Sequence, residues 1–360
     1  MEIVEVLEEL LPLDSPFAIK EIIKNEEDAT VYIHIEVDKS YRPYEHYGGI
    51  HQYYDRTWEH LKLFEYRCFI TCRLPIFKNA KTGKTEAMKV AFSRPNSRFT
   101  ILYEKEVMRL MGIHYCLKSV AQQLHIHTQR VEKIYHHYTS TAFDQHEVEP
   151  CSSIGVDETS TRKGHHYITT IVNMDTGKPI DVLDGKGSEV LKEFFDNNVN
   201  PAQVKQISID MSPAFISGCG QYFPWASQTF DKWHVFKLFG KHLDKLYKKF
   251  KDKQGQIALI WEYLEQFYQL KDWLEAKAFL SFIADYAEEV FGKNSFSKSI
   301  RRHFDGIVEY IRSRLTNGIL EGINSKTQTI KRVARGFRYT ENFKKMILFA
   351  FGVIQPRFTT

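Results

Sequence analysis

Three acidic residues, each in its own informative surroundings, are the chain's clearest candidates for chemistry. Asp157 stands in CSSIGVDETSTRKGHHYITTIV, Asp210 in VKQISIDMSPAF, and Glu321 in LTNGILEGINSKTQTIKRVARGFR. Apolar, β-rich runs end at the first two, and the third lies early in a helical stretch that turns strongly basic. Oxygen ligands delivered by two strand ends and one helix suit Mg²⁺ or Mn²⁺. Two such ions about 3.5–4 Å apart clamp an in-line displacement at a phosphodiester. Asp157 and Asp210 are 53 positions apart and Glu321 is 111 further on, so only a fold makes them neighbours. An acid at a strand end is by itself usually solvated or a cap, and the chain has 45 acids. The surroundings of these three single them out.

The elements that must position them follow from pattern. SIGVDET, YITTIVNMDTG and PIDVLDG read as three strands joined by tight turns, with Asp-Thr-Gly at the second. SEVLKEFFDNN is an amphipathic helix capped by Ser188, VKQISID a fourth strand, PAFISGCGQYF a helix, and ASQTFDKWH a fifth strand. Strands in that order predict a ribonuclease-H-like α/β core over 150–234, with Asp157 and Asp210 on neighbouring strands. Residues 235–316 are helical in pattern and contain no proline, an all-α insertion before the segment 317–360 that brings Glu321. Upstream, 1–110 read as a mixed module: a helix in IVEVLEELL, strands in ATVYIHIEV and YRCFITCRLPIF, and a turn-rich NAKTGKT.

Within 111–145, LKSVAQQLHIHTQRVEKIYHHY suggests a helix-turn-helix. Ala121 allows close helix approach, Thr128 caps the second helix, and Val131, Ile134 and Tyr135 form its buried stripe. Gln129, Arg130 and Lys133 then face outward towards a major groove or phosphates. A plain helical hairpin is the alternative.

Net charge is only +4, but its distribution is uneven. Lysines crowd 232–253, and Lys326, Lys331, Arg332, Arg335 and Arg338 lie in a stretch without an acid. Clustered basic charge is the footprint of a phosphate-backbone partner; a solvated helix face is the bland alternative. On one continuous helix Lys331, Arg335 and Arg338 share a face beside Glu321, with Gly336 ending it. Lys163, His165 and His166 either line a DNA path or form an exposed polar turn. Trp225, Trp233, Trp261 and Trp273 are expected in the core rather than as stacking platforms. Five scattered cysteines, an odd number, indicate a reducing compartment rather than a disulfide framework. Cys68 and Cys72 have no second Cys/His pair, so zinc is not expected. Without a run of about 18 uncharged apolar residues or a secretory leader, the expectation is a soluble, cytoplasmic chain.

From Asp157 to Phe343 the sequence resembles the DDE transposases of bacterial insertion sequences, most closely the insertion sequence L-three (ISL3) family. The matching pieces are GVDETSTRKGHHYIT, SIDMSPAFISG, FPWASQTFDKWHVFKLF and NGILEGINSKTQTIKRVARGFRYTENF, and the likeness reaches upstream through RPNSRFT and the helix-turn-helix-like segment. The resemblance implies a ribonuclease-H-like catalytic core interrupted by an all-α insertion. It also implies a catalytic, metal-binding triad of Asp157, Asp210 and Glu321, with Asp231 and His234 as a supporting pair. Two ions are expected, with Asp157 bridging them and Asp210 and Glu321 holding one each. The implied partners are double-stranded DNA, as element terminal repeats and as target, and a second copy of the chain in the synaptic complex. DNA binding would associate the protein with the bacterial nucleoid. Family members carry paired N-terminal cysteines, whereas YRPYEHYGG here has Tyr41, Tyr44 and Tyr47, a zinc-like module without its metal. The alternative function is an inactive or domesticated transposase-derived DNA-binding protein.

Overall fold

The computed structural model describes residues 11, 13, 16–41, 47–162, 166–197, 200–316 and 318–358. All but Leu11 of the helix expected in IVEVLEELL, most of the tyrosine-bearing YRPYEHYGG, and Lys163 and His165 lie outside the described residues. The chain divides into two compact units, 1–142 with 356–360, and 143–355.

Strand formation in the first unit follows side-chain alternation. Along β4 (Tyr66–Asn79), Cys68, Ile70, Cys72 and Leu74 are all buried at every second position. This strand is the hub. It pairs parallel with β2 (Thr30–Val37) and antiparallel with β3 (Tyr47–Leu63) and β5 (Thr85–Ala87), and β1 (Phe17–Asn25) closes the β2 side. Cys68 and Cys72 are core thiols, and desolvation pushes both up to about 12. Three helices follow: α1 (Ile101–His114), α2 (Leu117–Leu124) and α3 (Thr128–Asp144). Thr100 caps α1 by accepting from the Tyr103 amide. His125, left-handed at φ 55°, ends α2 and starts the turn into α3. Val131, Ile134 and Tyr135 are buried, as their spacing requires, and so is Ala121.

The second unit opens with β6 (Ser153–Arg162), β7 (His166–Asn173) and β8 (Lys178–Asp184), an antiparallel run in which Gly177, at φ +69°, completes the Asp-Thr-Gly turn. Then come α4 (Ser188–Asn197), β9 (Gln206–Ile209), α5 (Pro213–Tyr222) and β10 (Ser227–Phe230). The sheet order is β10-β9-β6-β7-β8, with β9 and β10 parallel to β6. Helices fill the rest: α6 (Lys232–Lys249), α7 (Gln254–Gln269), α8 (Trp273–Phe291), α9 (Ser295–Arg302), α10 (Phe304–Ser313), α11 (Gly318–Val333) and α12 (Thr340–Ala350). The fifth strand is shorter than its pattern suggests. It stops at Phe230 because the Asp231 carboxylate accepts from the His234 amide and caps α6, turning DKWH into a helix start.

The helices from α6 to α10 are not packed as a separate lobe. Phe239, Phe267, Phe296 and Ile307 share one core with Ile154, Val156, Ile207, Ile209 and Phe230 of the sheet. Among the described residues no helix is long and apolar enough to cross a membrane.

Candidate active site

Strand register assembles the acidic residues. β9 runs beside β6 with Ile154 opposite Ile207 and Gly155 opposite Ser208. β10 runs beside β9 with Thr229 opposite Ser208 and Phe230 opposite Ile209. Carrying both registers forward puts Asp157, Asp210 and Asp231 in one row across three adjacent strands, which lie about 4.8 Å apart. The Asp231 amide donates to the Ile209 carbonyl at 3.2 Å, continuing the ladder to that row.

Each carboxylate is held differently. Asp210 accepts from the Ser212 amide at 2.8 Å, a turn that leads into α5. Asp231 is buried and accepts from both the backbone amide (3.2 Å) and the Nδ1 (3.1 Å) of His234. Asp157 accepts from the Glu158 amide at Oδ1 (2.8 Å) and from the Asn324 side-chain amide at Oδ2 (2.5 Å). Asn324 also accepts from the Thr159 hydroxyl at 2.9 Å, so one α11 side chain grips two alternate residues of β6. Sequence reasoning missed Asn324; its one signal is its place one turn after Glu321.

Helix α11 approaches β6 this closely because position 155 is glycine. A Cβ there would stand 2.7 Å from Leu320 Cδ1 and 2.6 Å from Met174 Sδ. Leu320 and Ile323 close over Val172 of β7, and Thr327 and Ile330 continue the buried stripe. Gly155, Asp157 and Thr159 alternate along β6, so they share the face that α11 covers.

Electrostatics mark the row as crowded with negative charge. Burial raises the Asp157 carboxyl above the usual range and the Asp210 charge adds to it, against the Glu158 amide, His234 and Asn324. Glu158, unremarked in the sequence, is raised by burial and by Asp210 and Asp157, against Lys186. His234 is raised above its ordinary value by its bond to Asp231, which outweighs burial, with help from Asp157 and Asp210.

Glu321 is exposed in the first turn of α11. It lines a cavity of about 550 Å³ together with Asp231, Lys232 and Trp233. Trp233 is 51% exposed and Trp225 45%, contrary to the expectation of core positions; both stand where their helix or turn faces outward. Among the described residues no three His, Cys, Asp or Glu side chains are gathered so as to hold a metal ion. The donor chemistry nevertheless fits a hard cation. Asp157 and Asp210 are neighbouring oxygen donors, and the burial and neighbouring negative charge that raise the Asp157 carboxyl are what a divalent charge relieves.

The basic residues fall into distinct settings. Lys326 donates to the Ala350 carbonyl at 2.7 Å and lies over the Phe351 ring, and Lys331 donates to the Ser160 carbonyl at 2.9 Å. Both fasten α11 to its own unit. The shared helical face expected for Lys331, Arg335 and Arg338 does not form, because α11 stops at Val333. Arg335 is left-handed at φ 58°, and the Gly336 amide returns to the Lys331 carbonyl at 2.8 Å. Arg332, Arg335 and Arg338 are exposed. In the first unit, Gln129, Arg130 and Lys133 together line a cleft at the start of α3.

A family model described as a transposase matches residues 154–256 and 247–347, and one described as the helix-turn-helix domain of transposase family ISL3 matches 88–139. The chain is 23% identical over 245 residues to the transposase for insertion sequence element IS1001 of Bordetella parapertussis, covering 55% of this chain and 60% of that protein. It is 30% identical over 93 residues to the transposase for IS1557 of Mycobacterium tuberculosis, covering 25% of this chain and 21% of that one. The chain thus spans well under two thirds of the IS1557 protein and somewhat under two thirds of the IS1001 protein.

Proposed function

The chain belongs to the ISL3 transposase family, and from that premise we propose that it cuts DNA at the ends of its insertion sequence and joins the freed ends to target DNA. The observation that carries the reading is the register row of Asp157 and Asp210, with α11 locked onto Asp157 by Asn324. The second unit is read as a ribonuclease-H-like core whose α6–α10 helices form the insertion. The helix-turn-helix of α2 and α3 is read as the part that binds the terminal repeats.

In this reading Asp157, Asp210 and Glu321 hold Mg²⁺ or Mn²⁺, with Glu321 turning in from its exposed rotamer. The bound cations supply Lewis-acid stabilisation of the phosphodiester oxyanion and a lowered pKa for an attacking water or 3′-hydroxyl. Asn324 keeps the Asp157 carboxylate in one orientation. Asp231 fixes the His234 ring and favours its protonated form, so that His234 can donate to a phosphate oxygen beside the row. A second copy of the chain pairs the two element ends.

The test is incubation of the purified chain with a labelled duplex carrying an element end, with Mg²⁺ or with EDTA, beside Asp210→Asn. Metal-dependent nicking and joining that vanish in the variant support the reading. End binding without cleavage under Mg²⁺ and Mn²⁺ alike favours the transposase-derived DNA-binding protein instead.

A further inference from the structure

The first unit holds a buried carboxylate whose only evident work is to shape a loop. Glu104, on α1, is fully buried. It accepts from Arg94 Nε at 2.9 and 2.8 Å, from the Ser97 hydroxyl at 2.6 Å, and from the Tyr138 hydroxyl of α3 at 2.7 Å. The loop 94–98 is thereby tied to two helices at once. Removing a partner from such a buried pair is costly, so the loop geometry is strongly specified. Asn96 within it is left-handed, at φ 61°.

This loop forms one wall of a cleft of about 410 Å³, and the first turns of α3 form the other. Arg98, His127, Arg130 and Lys133 line it, along with the neutralised Arg94, and no acidic side chain does. Among the described residues Arg98, Arg130 and Lys133 form no ion pair. An adjoining cavity shares Arg98 and Arg130 but also contains Asp55 and Glu59. Of these, Glu59 is already paired with Arg67 at 2.8 Å. Of the two cavities, only the first concentrates positive charge without a compensating carboxylate.

We infer that this cleft is a phosphate clamp: Arg98, delivered by the Glu104-anchored loop, grips a backbone phosphate of duplex DNA beside the helix α3. The inference rests on the helix-turn-helix reading above and adds to it a second element and a role. Arginine matches a phosphate with two parallel N–H donors, and backbone contacts set the register of a recognition helix on the duplex without reading sequence. The loop, not α3, then fixes how the helix enters the groove.

The experiment measures binding of the full chain to a random-sequence duplex and to an element-end duplex by fluorescence anisotropy across a salt series. Unsubstituted chain, Arg98→Ala and Arg98→Lys are compared, with thermal midpoints as the folding control, since Arg98 is exposed. One lost phosphate contact lowers the slope of log affinity against log salt by about 0.9. Arg98→Ala is expected to show that loss, with roughly three- to tenfold weaker binding to both duplexes alike. Arg98→Lys is expected to retain the slope. An unchanged slope in Arg98→Ala overturns the clamp, as does a loss confined to the element-end duplex, which is base readout. Absence of duplex binding by the unsubstituted chain overturns the helix-turn-helix reading itself, and the clamp with it.

Discussion

Gly155→Ala puts the packing account to a quantitative test. The added methyl would meet Leu320 Cδ1 at 2.7 Å and Met174 Sδ at 2.6 Å. The methionine thioether is flexible and swings aside at little cost. Leu320 cannot, because it is fully buried at the start of α11. Carbon pairs rest near 3.5–4.0 Å, so Leu320, and α11 with it, must retreat by roughly 1 Å. Overpacking of this kind costs about 1–3 kcal/mol, and the entropy recovered on replacing a strand glycine offsets about 0.5–1 of it. The net expectation is about 0–2.5 kcal/mol lost, centred near 1, read as a lower urea midpoint with unchanged slope. Function should suffer more than stability. The same retreat pulls Asn324 from the Asp157 carboxylate one turn along, and a misplacement of about 1 Å can cost up to about 100-fold in rate. Leu320→Ala alone should cost about 2–5 kcal/mol. In the double variant the methyl fills part of the space, so the losses should fall short of additivity by about 0.5–3 kcal/mol. A Gly155→Ala chain with the original midpoint and cleavage rate refutes the argument, and so does strict additivity.

Three further outcomes follow from the same geometry. Asn324→Ala removes a hydrogen bond to a charged group and strands the Thr159 hydroxyl, so it should cost about 1.5–3 kcal/mol by urea unfolding and slow cleavage, whereas Thr159→Val, which leaves the Asp157 bond intact, should spare most of the rate. Because the folded pKa values of Asp157 and Glu158 are raised, the native state keeps protons the unfolded chain has released. Metal-free stability should therefore fall as pH climbs from about 4 through those raised values, and the advantage of Asp157→Asn should widen over that window; a gap that narrows contradicts it. Asp231→Asn removes the largest cause of the raised His234 pKa, so the ring should titrate lower by NMR. The stability that His234 contributes, present below about 6.5 and lost as pH rises through its raised folded value, should shrink on the acid side.

The antiparallel strands β6–β8 were legible because tight turns punctuate apolar runs, and α2 and α3 because Ala121, Val131, Ile134 and Tyr135 keep helical spacing. The first unit was less so. β3 spans 17 residues, yet HQYYDRTWEH mixes charged and aromatic side chains on both faces, so no clean period of two survives. α1 carries a helical stripe but follows a loop whose shape depends on Glu104, a contact no local pattern reveals. At the site, Asp157 and Asp210 could be placed on neighbouring strands from element order, whereas the place of Asp231 in the same row depends on β10 register. DKWH has the pattern of a strand end because Asp231 serves as the last residue of one pattern and the cap of the next. Asn324 and Gly155 acquire meaning only once α11 lies across β6.

Asp157, Asp210 and Glu321 are proposed to hold one cation site between them. Mn²⁺ binding by the full chain on an element-end duplex, followed by electron paramagnetic resonance, tests it directly. Asp157→Asn, Asp210→Asn and Glu321→Gln are each expected to weaken binding at least tenfold while duplex affinity is retained, a loss of about 1.4 kcal/mol or more apiece. Glu321→Gln that binds Mn²⁺ as tightly as the unsubstituted chain contradicts it.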